Sequence, residues 1–568
     1  MSTQPGGLLP GLEPQGPDTK RLLVTVLLVT AMWMGFQYFS PSAPPPDDKK
    51  PDVPVATAGT ALVAPLQNGV DATKDDLPEE TRVVAADVAG ASKADAVSVR
   101  GGYRAELTSK GAQLKSFRLT GYTDQKIKDQ PIDLASADDG GARMLAIRSR
   151  GGDVQLNADA SYSVVSSDAN KVVFERLTPS GVRVTRAYTF DPLKFAFSDD
   201  VVLKNESDTK KSAAFDVVMT GQERAGERDE GGMFSATPDA LAGACRVGGS
   251  RETFTSAKVE KEAKKYPGTV DYAALDRHYF LAAVVFDGAP TERCLVQSWS
   301  NASAGKDVAH GFQIVVEQAP VELSPGEVKT LSHHAYFGPK QVGLLADFGH
   351  DLGENINFGW FGVISRPILW ILVKLHGYTG NFGLAIILLT LGLNLITFPL
   401  TQKSYVSMQK VRKFKPQIDE LQKKYGHDRA LLGTKQMELY KQEGVNPLAG
   451  CLPMLITMPI WFALYRTLSQ AVELYQQPFA IGIYDLTAPD HLLGIVSLLP
   501  LIVGALMLFQ TWLQPPPADQ PQMKYMMWFM PFMFTFMMLQ MASGLSIYMI
   551  SNSLMRMGQQ LYIKRKYK

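Results

Sequence analysis

Three cysteines among 568 residues exclude a disulfide-stapled scaffold. The polar half of the chain has no metal-ligand spacing, nucleophile elbow or paired-carboxylate motif, and the apolar half has no Gly-Lys-Ser/Thr phosphate loop. These absences leave no motif for hydrolysis, metal chemistry or nucleotide-driven work, so neither an enzyme nor a cofactor is expected. Charge is missing unevenly. The C-terminal third is rich in Leu, Ile, Met and Phe, whereas residues 95–350 have the mixed content of a soluble domain. The net charge of +1 averages two unlike parts, and the chain reads as a membrane protein with a large extramembrane domain.

Residues 22–39 follow Lys20 and Arg21 and are apolar apart from Thr25, Thr30 and Gln37. No small-x-small cleavage site follows directly, and Trp33, Phe36, Tyr38 and Phe39 suit an interface, so the segment reads as an uncleaved anchor rather than a signal peptide, with residues 1–21 in the cytoplasm. The Pro- and Ala-rich stretch 40–94 cannot bury a core and reads as a flexible linker. Beyond it, apolar residues alternate at Val182, Val184, Tyr188 and Phe190, at Phe215, Val217 and Met219, and at Phe312, Ile314 and Val316. Period two between turn signals such as Asp191-Pro192 and Ser324-Pro325-Gly326 predicts half-buried strands, and residues 95–350 are expected to form a large antiparallel β-sandwich outside the cytoplasm.

Cys245 and Cys294 both fall in this domain. An oxidising compartment permits a bridge, but their spacing leaves a disulfide and two buried thiols both open. Cys451 lies in an apolar span and reads as a packing residue. His278, His310, His333 and His334 raise the idea of a carbohydrate-processing site; without an acid pair or metal spacing, they read as polar residues of strand edges and loops.

Five apolar segments follow, at 381–400, 447–468, 492–513, 523–541 and 543–562. With the anchor they make six spans. The first carries Thr390, Asn394, Thr397 and Thr401 on one helical face, and polar side chains at membrane depth face protein or water, so the bundle is expected to enclose a wet cavity. The connection 401–446 holds ten Lys/Arg against five acids, while Ser469 to His491 has no Lys or Arg and the tail 563–568 is basic. Both termini and the 401–446 loop are therefore placed in the cytoplasm. Apolar residues at Tyr405, Met408, Val411, Phe414, Ile418, Leu421 and Tyr425, broken at Gly426-His427-Asp428, predict a basic helical hairpin that can meet anionic lipid, ribosomal RNA or a nascent chain. Residues 361–378, with Arg366, Lys374 and Trp370, read as an amphipathic helix along the outer boundary.

Asn446-Pro447-Leu448-Ala449-Gly450-Cys451-Leu452-Pro453, Met458-Pro459-Ile460 and Ala463-Leu464-Tyr465 resemble the signature of the YidC/Oxa family of insertases. Pro478-Phe479-Ala480, Asp485-Leu486, Met530-Pro531, Ser543-Gly544-Leu545 and Ser551-Asn552 continue it in order. The anchor, linker and β-domain with His278-Tyr279-Phe280 resemble the Gram-negative form, which implies the bacterial inner membrane with the β-domain in the periplasm. The resemblance further implies a five-helix insertase core that passes newly made membrane proteins through a hydrophilic groove open to cytoplasm and lipid. One copy would suffice, alone or beside the Sec translocon, with the ribosome as a further partner.

Thr390, Asn394 and Thr397 by their shared polar face, Asn552 and Arg556 by theirs, and Thr457 by family position would line the groove; carried over from the family, Trp461, Phe462 and Phe534 would form the slide along which substrate spans move. The family pattern has a cation where this chain has Asn394, which can hydrogen-bond a substrate but cannot attract an acidic tail through charge. Arg556 lies 13 residues after Ser543 as Asn394 lies 13 after Asn381, which places both roughly 20 Å along inward-running helices. Asn552, Arg556 and Gln559 share a face. Arg556 either supplies part of the missing charge or snorkels to the inner interface. The Met- and Phe-rich stretch 523–538 reads as adaptable packing as well as lipid-facing surface. A small-solute transporter is the alternative; the absence of inverted repeats and of a charged transbilayer path argues against it.

Overall fold

The computed structural model describes residues 97–566 except 101, 125–129, 136–143, 192, 224–240, 302–308, 445–451, 481, 491–496, 514–520 and 540. The N-terminal segment 1–21, the anchor 22–39, the linker 40–94 and Cys451 lie outside the described residues. The described residues divide into two compact units, 97–357 with Gln470–Glu473, and Phe358–Ser469 with 474–566.

The first unit is built from three sheets, all of whose pairings are antiparallel. The largest has nine strands in the spatial order Ser250–Thr255, Ala242–Val247, Val270–Asp276, Phe280–Gly288, Val328–Pro339, Ala196–Asn205, Val182–Asp191, Lys171–Leu177, Ser163–Ser167. One face of it is covered by two smaller sheets. The four-stranded one, which includes Gln113–Thr123, sends Phe117 against Phe197 and Phe337 at centroid distances of 6.0 and 5.3 Å. The six-stranded one, centred on Thr291–Asn301, Ala309–Gln318 and Lys211–Glu223, sends Phe312 to Phe254 at 5.4 Å. Two short helices, α1 (Ser256–Lys261) and α2 (Val342–Phe348), complete the unit.

The alternating positions Val182, Val184, Tyr188 and Phe190 are buried as the period predicts. The strands around Phe215 and Phe312 depart from the half-buried expectation, because Val218 and Val315 on their opposite face are buried as well. Ala146 and Leu295 pack there with them, giving the smaller sheet a second apolar layer. Alternation reports one buried face and is silent about the other. Cys245 and Cys294, left open by their spacing, are disulfide-bonded and join the nine-stranded to the six-stranded sheet across 49 residues of sequence. Gly243 makes the neighbouring close approach possible, since a Cβ there would run into the Phe254 ring.

The second unit is helical: α3 (Gly362–Thr379), α4 (Phe382–Lys413), α5 (Lys415–Tyr425), α6 (Arg429–Gln442), α7 (Leu452–Gln470), α8 (Leu498–Leu513), α9 (Pro521–Met538) and α10 (Ser543–Lys566). Phe382–Ser404 is long and apolar enough to cross a bilayer, and Leu498–Trp512 and Trp528–Met538 are shorter apolar stretches. α10 packs on α4 and α8, α9 on α8, and α3 on α4. The basic loop is partitioned differently from expectation. α4 continues for 32 residues to Lys413, so Tyr405, Met408 and Val411 belong to the same helix as Asn394. Pro416, near the start of α5, has no N–H for the preceding turn and forces the break at Phe414. The second arm begins where Asp428 accepts the N–H groups of Ala430 and Leu431.

Candidate functional site

α4 is positioned at its start by Asn381, whose side-chain amide donates to the Phe479 carbonyl at 3.0 Å while its oxygen accepts the Leu384 N–H at 3.1 Å. Gly383 lets Phe479 lie against the first turn, where a Cβ would collide with the ring. α10 is tied to the same loop: Ser543 donates to the Asp485 carbonyl at 2.7 Å and the Gly544 N–H to Leu486 at 2.9 Å. Both helices thus start from one ordered loop and descend side by side in parallel.

Twelve residues into α4 the polar face meets α10. Asn394 Nδ2 donates to the Thr390 carbonyl at 2.9 Å and to Asn552 Oδ1 at 3.1 Å, and Gln559 Nε2 donates to the Asn394 carbonyl at 3.3 Å. The threonines behave otherwise. Thr390, Thr397 and Thr401 donate to carbonyls of their own helix, those of Ile386, Leu393 and Phe398, at 2.7–2.8 Å. Their protons are spent locally, so they offer the cavity only lone pairs.

Arg556 stands on the face of α10 between Asn552 and Gln559. Its Nε is buried and has no hydrogen-bond partner among the described residues. One side of this face reaches α7. Met549, seven residues before Arg556, accepts a hydrogen bond from the Trp461 Nε1–H at 3.4 Å. Thr457, half-buried, sits one turn before Trp461 on α7. Thr457 precedes Trp461 on α7 and Arg556 follows Met549 on α10, so both lie on the side of the Trp461–Met549 contact towards the start of α7 and the end of α10.

The slide candidates come together. Trp461 contacts Phe462 at 5.0 Å and Phe534 at 6.3 Å between ring centroids, and stacks on Tyr465 at 6.2 Å. Elsewhere on α9, Phe529, Phe532 and Phe536 are exposed. α3 docks on α7 through small groups, with Ser365 donating to the Ala463 carbonyl at 2.9 Å and Thr467 to the Ser365 carbonyl at 3.3 Å. The residues that reasoning from sequence passed over are Met549, Tyr465 and, as a direct partner of Asn394, Gln559. The signal was there for Gln559 and Met549: they stand seven residues after and three before Asn552, on the same helical face.

Nearly all of the described chain matches known proteins. Residues 100–371 match the family model for the YidC periplasmic domain and residues 374–568 that for the 60Kd inner membrane protein. A membrane protein insertase YidC of Pelobacter propionicus is 31% identical over 96% of this chain and 99% of its own length. One from Anaeromyxobacter dehalogenans (strain 2CP-1) is 34% identical, over 96% and 97%. The chain belongs to the YidC family of membrane protein insertases. A crystal structure of active YidC insertase aligns over 82% of this chain and 92% of that one, at 17% identity and a TM-score of 0.35.

As a YidC protein the chain is an inner-membrane insertase and not an enzyme, and its β-rich unit is the periplasmic domain. The resemblance carried by the Asn446–Pro453 and Ser543–Leu545 motifs is thereby confirmed. The carbohydrate-processing and transporter readings fall away.

Proposed function

We propose that the chain crosses the inner membrane six times with both termini in the cytoplasm, and that Thr390, Asn394, Thr397, Thr457, Asn552 and Arg556 line the groove that receives the hydrophilic tail of a nascent membrane protein. The observation that carries this reading is the amide bridge from Asn394 to Asn552, with Gln559 beside it, inside a bundle whose outer faces are apolar. Moving unsatisfied peptide groups through hydrocarbon costs several kcal/mol each. Side chains that already exchange hydrogen bonds at that depth lower the cost by trading partners with the substrate. The substrate's own apolar span then supplies the driving force as it leaves along Trp461, Phe462 and Phe534, with no nucleotide consumed.

Arg556 is the cation of this groove. Its buried Nε lacks a partner among the described residues, which suits a carboxylate on an incoming tail. The basic hairpin α5–α6 faces the ribosome or anionic headgroups, and a single copy inserts simple substrates alone while working with the Sec translocon on larger ones. The test is reconstitution of the purified protein in liposomes with two single-span substrates, one acidic-tailed and one neutral, read by protease protection. Insertion of both by the wild type, with selective loss of the acidic substrate in Arg556→Gln, is the expected result. Equal insertion of both by the variant would remove Arg556 from the groove.

A further inference from the structure

The two helices that share the amide bridge also enclose a cleft on their flank. It has a volume of about 400 Å3 and is walled by Leu391, Leu395 and Phe398 of α4 and by Met555, Gly558 and Tyr562 of α10, with Asn394 and Gln559 as its polar members. Leu395, Leu554 and Tyr562 at its rim are exposed, so hydrocarbon would bathe its mouth once α4 and α10 stand in a bilayer. Gly558 borders open space, since a Cβ there would meet nothing within 4 Å.

Its inner end is cationic. The stripe of α10 that carries Met555, Gly558 and Tyr562 continues at helical spacing to Arg565 and Lys566, and the Lys566 ammonium lies 5.9 Å from the Tyr562 ring centroid. Neither helix contributes an Asp or Glu anywhere along its length. An apolar slot that ends in two cations without an acid on either wall complements an amphiphile with an anionic head. A substrate helix, about 10 Å across, is too wide for a slot of this volume, whereas an extended hydrocarbon chain is not.

We propose that this cleft holds one acyl chain of an anionic phospholipid of the cytoplasmic leaflet, with the headgroup phosphate at Arg565 and Lys566 and the Tyr562 hydroxyl beside it. The assignment rests on the reading that α4 and α10 cross the membrane with the tail inside. Basic pockets between spanning helices at the cytoplasmic side are a general means of holding such headgroups. Because Asn394 and Gln559 line the cleft and also tie α4 to α10, Asn394 through its bridge to Asn552 and Gln559 through the Asn394 carbonyl, the bound chain props the two groove helices at a fixed separation.

The full-length protein, released from bilayers of equal phosphatidylglycerol and phosphatidylcholine into native mass spectrometry, should retain one phosphatidylglycerol in preference. Arg565→Gln and Lys566→Gln should each cut that preference about fivefold while a lipid of either kind is still retained. Gly558→Leu, which fills the slot, should abolish retention of both. Equal retention of the two lipids by the wild type, or undiminished retention in Gly558→Leu, would overturn the proposal. So would crosslinking of a substrate span, in place of lipid, to a cysteine introduced at Gly558. Protease accessibility of the tail in sealed vesicles separates the two levels of the argument. A tail on the outer side overturns the topology and the leaflet assigned here together, while a correctly placed tail without lipid preference overturns the cleft alone.

Discussion

Each unit takes an arginine out of water, Arg186 wholly and Arg556 in part, and they treat it in opposite ways. In the β-unit, Arg186 is fully enclosed and every side of its guanidinium is engaged: Nε and Nη2 donate to the Asp199 carboxylate at 2.8 and 2.6 Å, and Nη2 and Nη1 reach the Leu145 and Gly111 carbonyls. Tyr188 lies under it and donates to the Ala112 carbonyl at 2.8 Å. In the helical unit, Arg556 has a buried Nε with no partner among the described residues. A charge whose hydrogen bonds are all satisfied serves architecture, since any exchange of partners costs more than it returns. A charge left short of a partner serves binding, because the incoming group supplies what the fold withholds.

Breaking the satisfied pair should have the largest effect. Arg186→Leu leaves the Asp199 carboxylate buried without its guanidinium partner, and should destabilise the periplasmic unit by about 3–5 kcal/mol, measurable as a fall in the unfolding midpoint of the solubilised protein. Cys245→Ala with Cys294→Ala comes next. Releasing the link between the two sheets should cost about 2–4 kcal/mol, read by the same melt and reproduced by reductant on the wild type. If both changes left the midpoint in place, the β-unit would owe its rigidity to the aromatic layer around Phe117 and Phe197 instead.

The groove side of the comparison is sharpened by Asn394→Leu. It removes the bridge to Asn552 and leaves that amide without its partner, so insertion should fall for acidic and neutral substrates alike, by roughly tenfold for a lost bond worth about 1 kcal/mol plus the lost polar surface. Arg556→Gln should instead discriminate between the two substrates. Identical profiles for the two variants would mean that charge and hydrogen bonding are not separable in this groove.

The smallest effect is a pH dependence of the β-unit. His333 is fully buried beside Arg186 and Asp199; its Nδ1–H donates to the Asp199 carbonyl and its Nε2 accepts from Gln318. Burial is the main cause of a pKa below the ordinary histidine value, with the Asp199 carboxylate opposing it and Arg186 assisting. The unfolded chain therefore binds this proton more readily than the folded one. The contribution is complete above about pH 6.5 and is lost as pH falls through that value towards the folded pKa. His333→Gln should flatten the acid limb of the stability profile, measured by melts between neutral and mildly acidic pH.

The resemblance motifs, the basic 401–446 loop and the polar stripe of α4 were legible because each is a local anomaly: a polar or charged side chain in an apolar setting carries a cost that a sequence displays directly. Asn394 stood out for that reason, and so did Arg556. Their surroundings did not. The bridge to Asn552 joins positions 158 apart, and the contact between Trp461 and Met549 joins positions 88 apart. The continuity of α4 through Lys413 was hidden by the change from apolar to basic composition, which alters the solvent of a helix without ending it. The pairing of Cys245 with Cys294, the second buried face around Val218 and Val315, and the cleft above Gly558 likewise needed three dimensions.

What the amino-acid sequence determined by itself is the family, the division into polar and apolar parts, and the identity of the groups that could work at membrane depth. What the tertiary structure alone decided is which of those groups spend their hydrogen bonds on their own helix, as Thr390 and Thr397 do, and which reach across to another, as Asn394 does. Composition and period fix the kind of surface an element must present, but a hydrogen bond is made or left unmade only when two elements arrive at a definite distance.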